Sequence, residues 1–324
     1  MITFRVYDPH ADAGRVYTLW QQALGHTWPL GYQTFQTVTV ANPVYQPGDH
    51  LVALWGDEIV GFLATQVRQG MAPVQGNLLL LLVAPIFQRQ GIGRMLHEQA
   101  FTSLQRRGAT RIQLGGGFHY FWQGVPVNLA EAWSFFQAQG WKEQERSFDL
   151  VRTLTGYTTP TGIFQHLPPT ITLRHASLVD ATAILAFEGQ HFPQWLAYYQ
   201  RVLAFGGATD VLVAEESSQG IVGTSFVEYS RAPWWQDDIR WLSLLGEQTG
   251  GIGPLGVAEP MRGQGIGLAL AARVTEALHE RGLTNSYIGW TWLVDWYGRL
   301  GYQVWQEYVM AWRQLRASSH EFFS

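Results

Sequence analysis

Two stretches of this chain have the composition of an anion grip. Val83-Ala84-Pro85-Ile86-Phe87-Gln88-Arg89-Gln90-Gly91-Ile92-Gly93-Arg94 recurs as Val257-Ala258-Glu259-Pro260-Met261-Arg262-Gly263-Gln264-Gly265-Ile266-Gly267-Leu268. The second Gly-Ile-Gly lies 174 residues after the first (265 − 91). A glycine-rich turn entering a helix leaves amide N–H groups unpaired at the positive end of the helix dipole, an arrangement that suits phosphate. Glycine lets the backbone approach the phosphate closely, where a side chain would block it. A Walker loop requires Gly-Lys-Ser/Thr. Arg94 and Leu268 follow the last glycines instead. A Rossmann loop requires a third small residue three positions on, where this chain has Leu96 and Leu270.

The elements that must position these loops are also duplicated. Ile2-Thr3-Phe4-Arg5 matches Ile171-Thr172-Leu173-Arg174, and a helix is expected after each. The hairpin Leu51–Trp55 and Ile59–Leu63 mirrors Val211–Ala214 and Ile221–Phe226. A buried strand over Leu78–Val83 precedes the first loop. Ile92, Leu96 and Ala100 after it, like Ile266, Leu270, Val274 and Leu278 after the second, keep helical spacing. Strands are expected over Arg111–Leu114 and Ser286–Trp290, then a helix closing on Gly140-Trp141 or Gly301-Tyr302 and a final strand pair. Residues 153–170 are rich in Thr, Pro and Gly, as a linker is. The expected organisation is a domain over 1–152, a linker over 153–170 and a domain over 171–324. Each domain is α/β, with a mixed sheet flanked by helices in the order β-α-β-β-β-α-β-α-β-β.

With Gln/Arg-x-x-Gly-x-Gly in mid-domain after a strand ending in Val-x-x-Pro, the chain resembles the GNAT superfamily of N-acetyltransferases across both halves. The resemblance implies two tandem acyl-CoA N-acyltransferase folds and acetyl-CoA, or another acyl-CoA, as cofactor. By position, Gln88, Arg89, Gln90, Gly91, Ile92, Gly93 and Arg94 would face the pyrophosphate, as would Arg262, Gly263, Gln264, Gly265, Ile266, Gly267 and Leu268. Leu82-Val83 and Gly256-Val257 would pair with the pantetheine arm as with an added strand.

Acetyl transfer to an amine needs a neutral amine, a stabilised oxyanion and a protonated leaving thiolate. An alkylamine of pKa about 10 is only about 0.1% neutral at pH 7, a deficit of roughly 4 kcal/mol. The resemblance places an acidic tyrosine four residues before the glycine of the Gly-aromatic pair. That residue is Tyr297 in the second half and Phe136 in the first, and Phe has no proton to give. Tyr297 reads equally as a core residue, flanked by Trp296 and Leu300. Glu247 and Glu228 are candidate bases for the second half, and exposed glutamate is the plainer reading of each. A backbone N–H near Gly256-Val257 is the simplest oxyanion donor.

Two aromatic segments are candidates for the acceptor. The glycine-punctuated run Gly115–Pro126 carries Tyr120 and Trp122, and Ala232–Asp238 carries Trp234 beside Asp237. Tryptophan faces with carboxylates suit a cationic amine, although both segments read as packing too.

Composition narrows the rest. Hydrophobic residues are 47% and charged residues 14% of the 324, enough apolar material for two cores. With no cysteine there is no disulfide and no thiolate ligand or nucleophile. The histidines lack metal-ligand spacing, so no metal is expected. A net charge of −4 argues against non-specific nucleic-acid binding. The longest apolar run, 78–86, falls well short of the roughly 20 residues that cross a bilayer, and residues 1–12 lack a signal-peptide apolar region. The expectation is a cytoplasmic N-acetyltransferase, monomeric or homodimeric. It would acetylate a small-molecule amine by direct attack in a ternary complex, with the C-terminal half catalytic and no nucleic-acid or membrane partner. The rival is a non-catalytic acyl-CoA sensor or scaffold.

Overall fold

A computed structural model describes residues 1–68, 73–235 and 239–315. Two compact units emerge: Met1–Ser147 with Gln306–Ser324, and Phe148–Trp305.

The first unit begins with β1 (Ile2–Val6) and α1 (Pro9–Leu24). Asp8 caps α1 by accepting from the His10 and Ala11 amides, with proline at the first helical position. Arg5 forks onto Asp12 in the first turn and ties strand to helix. The short α2 (Tyr32–Val38) follows, then β2 (His50–Trp55), β3 (Glu58–Arg68) and β4 (Gln75–Val83). After the first loop come α3 (Ile92–Arg106), β5 (Arg111–Leu114), β6 (Val125–Pro126), α4 (Ala130–Ala138) and β7 (Glu145–Thr153), which runs on into the second unit. Strands β1 to β4 are antiparallel neighbours in chain order, and β4 runs parallel to β5. Leu80 faces Ala64 while Leu78 faces Thr65, so Leu79 is an extra residue, a β-bulge in mid-strand. Beyond the bulge β5 no longer accompanies β4, and the edge of β4 is left open.

The second unit repeats the plan with β8 (Ile171–His175), α5 (Ala181–His191), α6 (Leu196–Ala204), β9 (Val211–Glu216) and β10 (Gly220–Glu228). Arg174 forks onto Asp180 as Arg5 does onto Asp12. Then come α7 (Leu242–Leu245), β11 (Thr249–Ile252), β12 (Gly256–Val257), α8 (Ile266–Glu280), β13 (Asn285–Thr291), α9 (Val294–Gly298), β14 (Gln303–Met310) and β15 (Trp312–Gln314). Here β11 and β12 do the work of β4. Gly253 donates to Phe226 and Gly256 faces Thr224, so two residues, Pro254 and Leu255, stand opposite one. The bulge recurs at the same level of the sheet.

The units differ from two continuous runs of chain at 1–152 and 171–324. Trp312–Gln314 pairs with Gln113–Arg111 of β5, so the terminal strand completes the first unit. Phe148–Thr153 pairs with β13 in the second. The helices α2 and α6 lie outside the sequence reading. The segment read as a linker is packed on α8: Tyr157 and Ile163 are buried with Leu268, Val274 and Leu278. Among the described residues no helix is long and apolar enough to cross a membrane, and no cluster of side chains is arranged to hold a metal.

Candidate functional site

The two glycine loops share one backbone. Gly91 and Gly265 cap α3 and α8 in the left-handed region, at φ 85° and 80°, a conformation that glycine adopts without strain. The position two residues earlier is also left-handed: Arg89 at φ 61° and Gly263 at φ 79°. Ala84 N–H donates to Val60 O and Ala258 N–H to Val222 O. By the alternation of an antiparallel ladder, Val83 and Val257 therefore turn their own N–H groups towards the open edge. The Gln88 amide donates to Val83 O at 3.2 Å and the Arg262 guanidinium to Val257 O at 3.0 Å. Gln90 holds its loop by donating to Ile86 O.

Their surroundings differ. In the first unit a cleft of about 750 Å³ runs along the free edge of β4. Leu82, Val83, Gln88, Arg89, Gly91, Gly93 and Arg94 line it, together with Trp122, Leu24 and Phe136. The first loop is fully exposed apart from buried Ile92 and half-buried Gly93, and a Cβ placed on Gly91 would meet nothing within 4 Å. Two guanidinium groups lie beside it. Arg89 faces Glu131 at 3.7 Å and Arg94 faces Glu98 at 3.9 Å, both at high exposure.

In the second unit a Cβ on Gly265 would meet the Cβ and carbonyl oxygen of His166 at 3.6 and 3.7 Å. The counterpart of Arg94 is Leu268, only 4% exposed, and that of Arg89 is Gly263. Gly256, the counterpart of Leu82, receives the ring of Phe192 where its side chain would stand. Gly263 and Gln264 are exposed, Gly267 is half-buried against Trp296, and Ile266 is buried.

Tyr297 lies in the core of the second unit, edge-on to Trp296 at 4.6 Å. Burial raises its hydroxyl well above the usual range and keeps it protonated, with Tyr302 adding to the effect. The hydroxyl has no hydrogen-bond partner among the described residues, yet it is not sealed from solvent. Phe136 takes the corresponding place in the first unit and faces the cleft, packed with His97 and Trp141. His97 accepts from the Trp141 indole at 2.9 Å, and burial, aided by Arg313, holds it neutral, down to about 4.

The carboxylate candidates separate. Glu228 ends β10 opposite Gly251, half-buried, with its carboxylate over that glycine. Glu247 is exposed ahead of β11, seven residues before the bulge at Pro254 and Leu255, or about 23 Å of extended chain. That places it at the closed end of the β11–β13 pair, away from the bulge. Of the acceptor candidates, Trp122 lines the cleft and stacks on Trp20 at 5.4 Å, while half-buried Tyr120 sits on the same loop. Gln66 pins that loop by bonding both the N–H and C=O of Phe118. Trp234 is a core residue, 1% exposed, whose indole donates to Asp210 at 3.0 Å, so its face is not available to a ligand. Asp237 lies outside the described residues.

One buried acid escaped the sequence reading. Glu188 of α5 is fully enclosed, accepts from the Thr224 hydroxyl through one oxygen and has no partner for the other. Desolvation pushes it up to about 7 against the pull of Thr224. Aligning the two Arg–Asp forks places Trp20 at the position of Glu188 in the first unit, and the ladder register places Phe62 at that of Thr224, so no motif marks the acid.

The acetyltransferase (GNAT) family model matches residues 15–141 and 181–302. No curated protein sequence matches the chain. Among solved structures it is similar to the glucosamine N-acetyltransferase region of a fungal multi-domain β-N-acetylglucosaminidase, at 29% identity and a TM-score of 0.88, over 97% of this chain and 38% of that one. The chain thus spans well under half of that relative. It also resembles an N-acetyltransferase from Sphaerobacter thermophilus (19% identity, TM-score 0.71, 98% and 96% covered). A tandem GNAT protein from the clavulanic acid biosynthesis pathway is a further match (15%, 0.66, 98% and 100%). Two matches of the family model, on two units that repeat one strand-bulge-loop-helix plan, establish that the chain belongs to the acetyltransferase (GNAT) family as a tandem member.

Proposed function

We propose that the protein is an acetyl-CoA-dependent N-acetyltransferase whose first unit holds the acyl-CoA and whose acceptor is the primary amine of an amino sugar. The observation that carries the reading is the cleft along β4, which joins an open strand edge, bare loop amides and two arginines in one cavity. Acetyl-CoA supplies an activated acetyl thioester when bound. Val83 presents its amide to the pantetheine arm, and the Gly91–Arg94 backbone with Arg89 and Arg94 receives the pyrophosphate. Beyond the bulge at Leu79 the edge of β4 is free of β5, and a backbone N–H on that edge suits a developing oxyanion. Phe136 donates no proton, and a thiol of pKa about 8.5 is close enough to neutrality to take its proton from water. Trp122, buried and stacked on Trp20, adds apolar wall to the cleft, and an apolar wall suits the hydrophobic face of a sugar ring. Glucosamine is favoured by the 29% identity to the fungal region described as a glucosamine N-acetyltransferase.

A second reading rests on Tyr297. Its protonated, partnerless hydroxyl suits an acid for the leaving thiolate, with Glu228 rather than Glu247 as base, and would place chemistry in the second unit.

The test is thiol release from acetyl-CoA over amino sugars, alkylamines and peptide N-termini. Glucosamine should give a kcat/KM at least tenfold above the alkylamines. Tight acetyl-CoA binding without turnover on any amine would make the protein a sensor.

A further inference from the structure

We infer that the segment 154–167 is a built-in occupant of the second glycine loop, so that the protein carries one acyl-CoA, in the first unit, and not two. This rests on the reading of the first cleft as the acyl-CoA site.

The segment runs along α8 from its C-terminal end to its start. Tyr157 is buried against the last turns, edge-on to His279 at 6.3 Å, and Thr159 donates to Glu276. The guanidinium of Arg273 lies 4.3 Å over the Phe164 ring, and Ile163 is buried in the same cluster. The path ends with His166 against Gly265 and Leu167 packed with Val257 and Ile266. A helix covered on its outer face needs apolar residues on more than one side, and the first two turns of α8, residues 266–272, carry no polar side chain. Ten of its fifteen residues are buried, against five of fifteen in α3.

Three features set the second loop apart from the first as a site for pyrophosphate. A Cβ on the cap glycine would be in contact with His166, at 3.6 to 3.9 Å, where the first loop has nothing within 4 Å. A leucine buried under the segment replaces the exposed Arg94. The loop keeps one guanidinium, Arg262, whose Nε donates to Val257 O, where the first loop presents two. Binding there would require moving the His166–Leu167 end of the segment away from Gly265, Val257 and Ile266. The loop kept its backbone because that backbone also starts α8, and its anion site has become a dock for the chain itself.

Calorimetric titration of the intact protein with acetyl-CoA reads the stoichiometry, and hydrogen exchange locates the site. One equivalent should bind, and peptides over residues 82–96 should gain protection while those over 256–270 stay unchanged. Two equivalents, or protection confined to 256–270, would overturn the inference; two equivalents would leave the proposed activity standing. Absence of any binding would overturn both.

Discussion

The first and second glycine loops agree in left-handed caps, ladder partners and the side chain that clips the preceding strand, and they disagree in almost everything that lies above that backbone. The agreement follows from what the fold demands. In both units the strand turns into the helix through the same two left-handed positions, whatever lies above the loop. The disagreement follows from what binding demands: space, cations and uncovered amides, all at once. The first loop has all three, whereas at the second His166 packs on the cap glycine and buried Leu268 stands in place of Arg94. Motif identity thus reports a shared backbone, and the flanking residues report the function.

Exchanging one residue between the loops should expose that difference most strongly. Leu268→Arg puts a cation into a buried cluster with no partner and should cost about 3 kcal/mol or more in chemical denaturation. Arg94→Leu, at an exposed site, should change stability by no more than about 0.5 kcal/mol. Equal costs would mean that the segment over α8 does not bury Leu268.

Glu188 sharpens the comparison on the other face of the sheet. Burial raises it from 4.5 to about 7, so the folded chain keeps a proton that the unfolded chain has released. Its contribution is complete below about pH 4.5 and declines as pH rises through about 7. Glu188→Gln should therefore be more thermostable than the parent at pH 8, by several degrees in Tm, with the gap closing at pH 4.5. A gap independent of pH would show that Glu188 does not titrate there.

The smallest expected effect concerns chemistry. With acetyl transfer in the first unit, Tyr297→Phe should alter kcat less than threefold. A loss of about a hundredfold would transfer the chemistry to the second unit and to Tyr297 as the acid.

What could be read from the sequence was what local pattern determines. Arg111–Leu114 is read as a strand and is β5 over the same residues, because a short apolar strand between turn residues has few alternatives. The glycine loops are visible because left-handed backbone selects glycine. The exchange of terminal strands leaves no local trace, since Trp312 finds Gln113 only through long-range pairing. Trp234 reads as a platform beside acidic neighbours, but its indole is claimed by Asp210, 24 residues upstream. Residues 153–170, which include the docked 154–167, read as a linker because they are rich in Thr, Pro and Gly. The signal that they dock lay elsewhere, in the Leu-Ala-Leu-Ala-Ala run 268–272, which leaves α8 no polar side chain there, where α3 has Arg94 and Glu98.

The central claim is that one loop, the first, grips acyl-CoA, and paired charge reversals test it most directly. The dissociation constant of acetyl-CoA should be measured for Arg94→Glu and Arg262→Glu, both at exposed positions. Arg94→Glu should weaken binding at least tenfold, about 1.4 kcal/mol, and Arg262→Glu less than twofold. Strong loss in Arg262→Glu with near-parental affinity in Arg94→Glu would contradict the account.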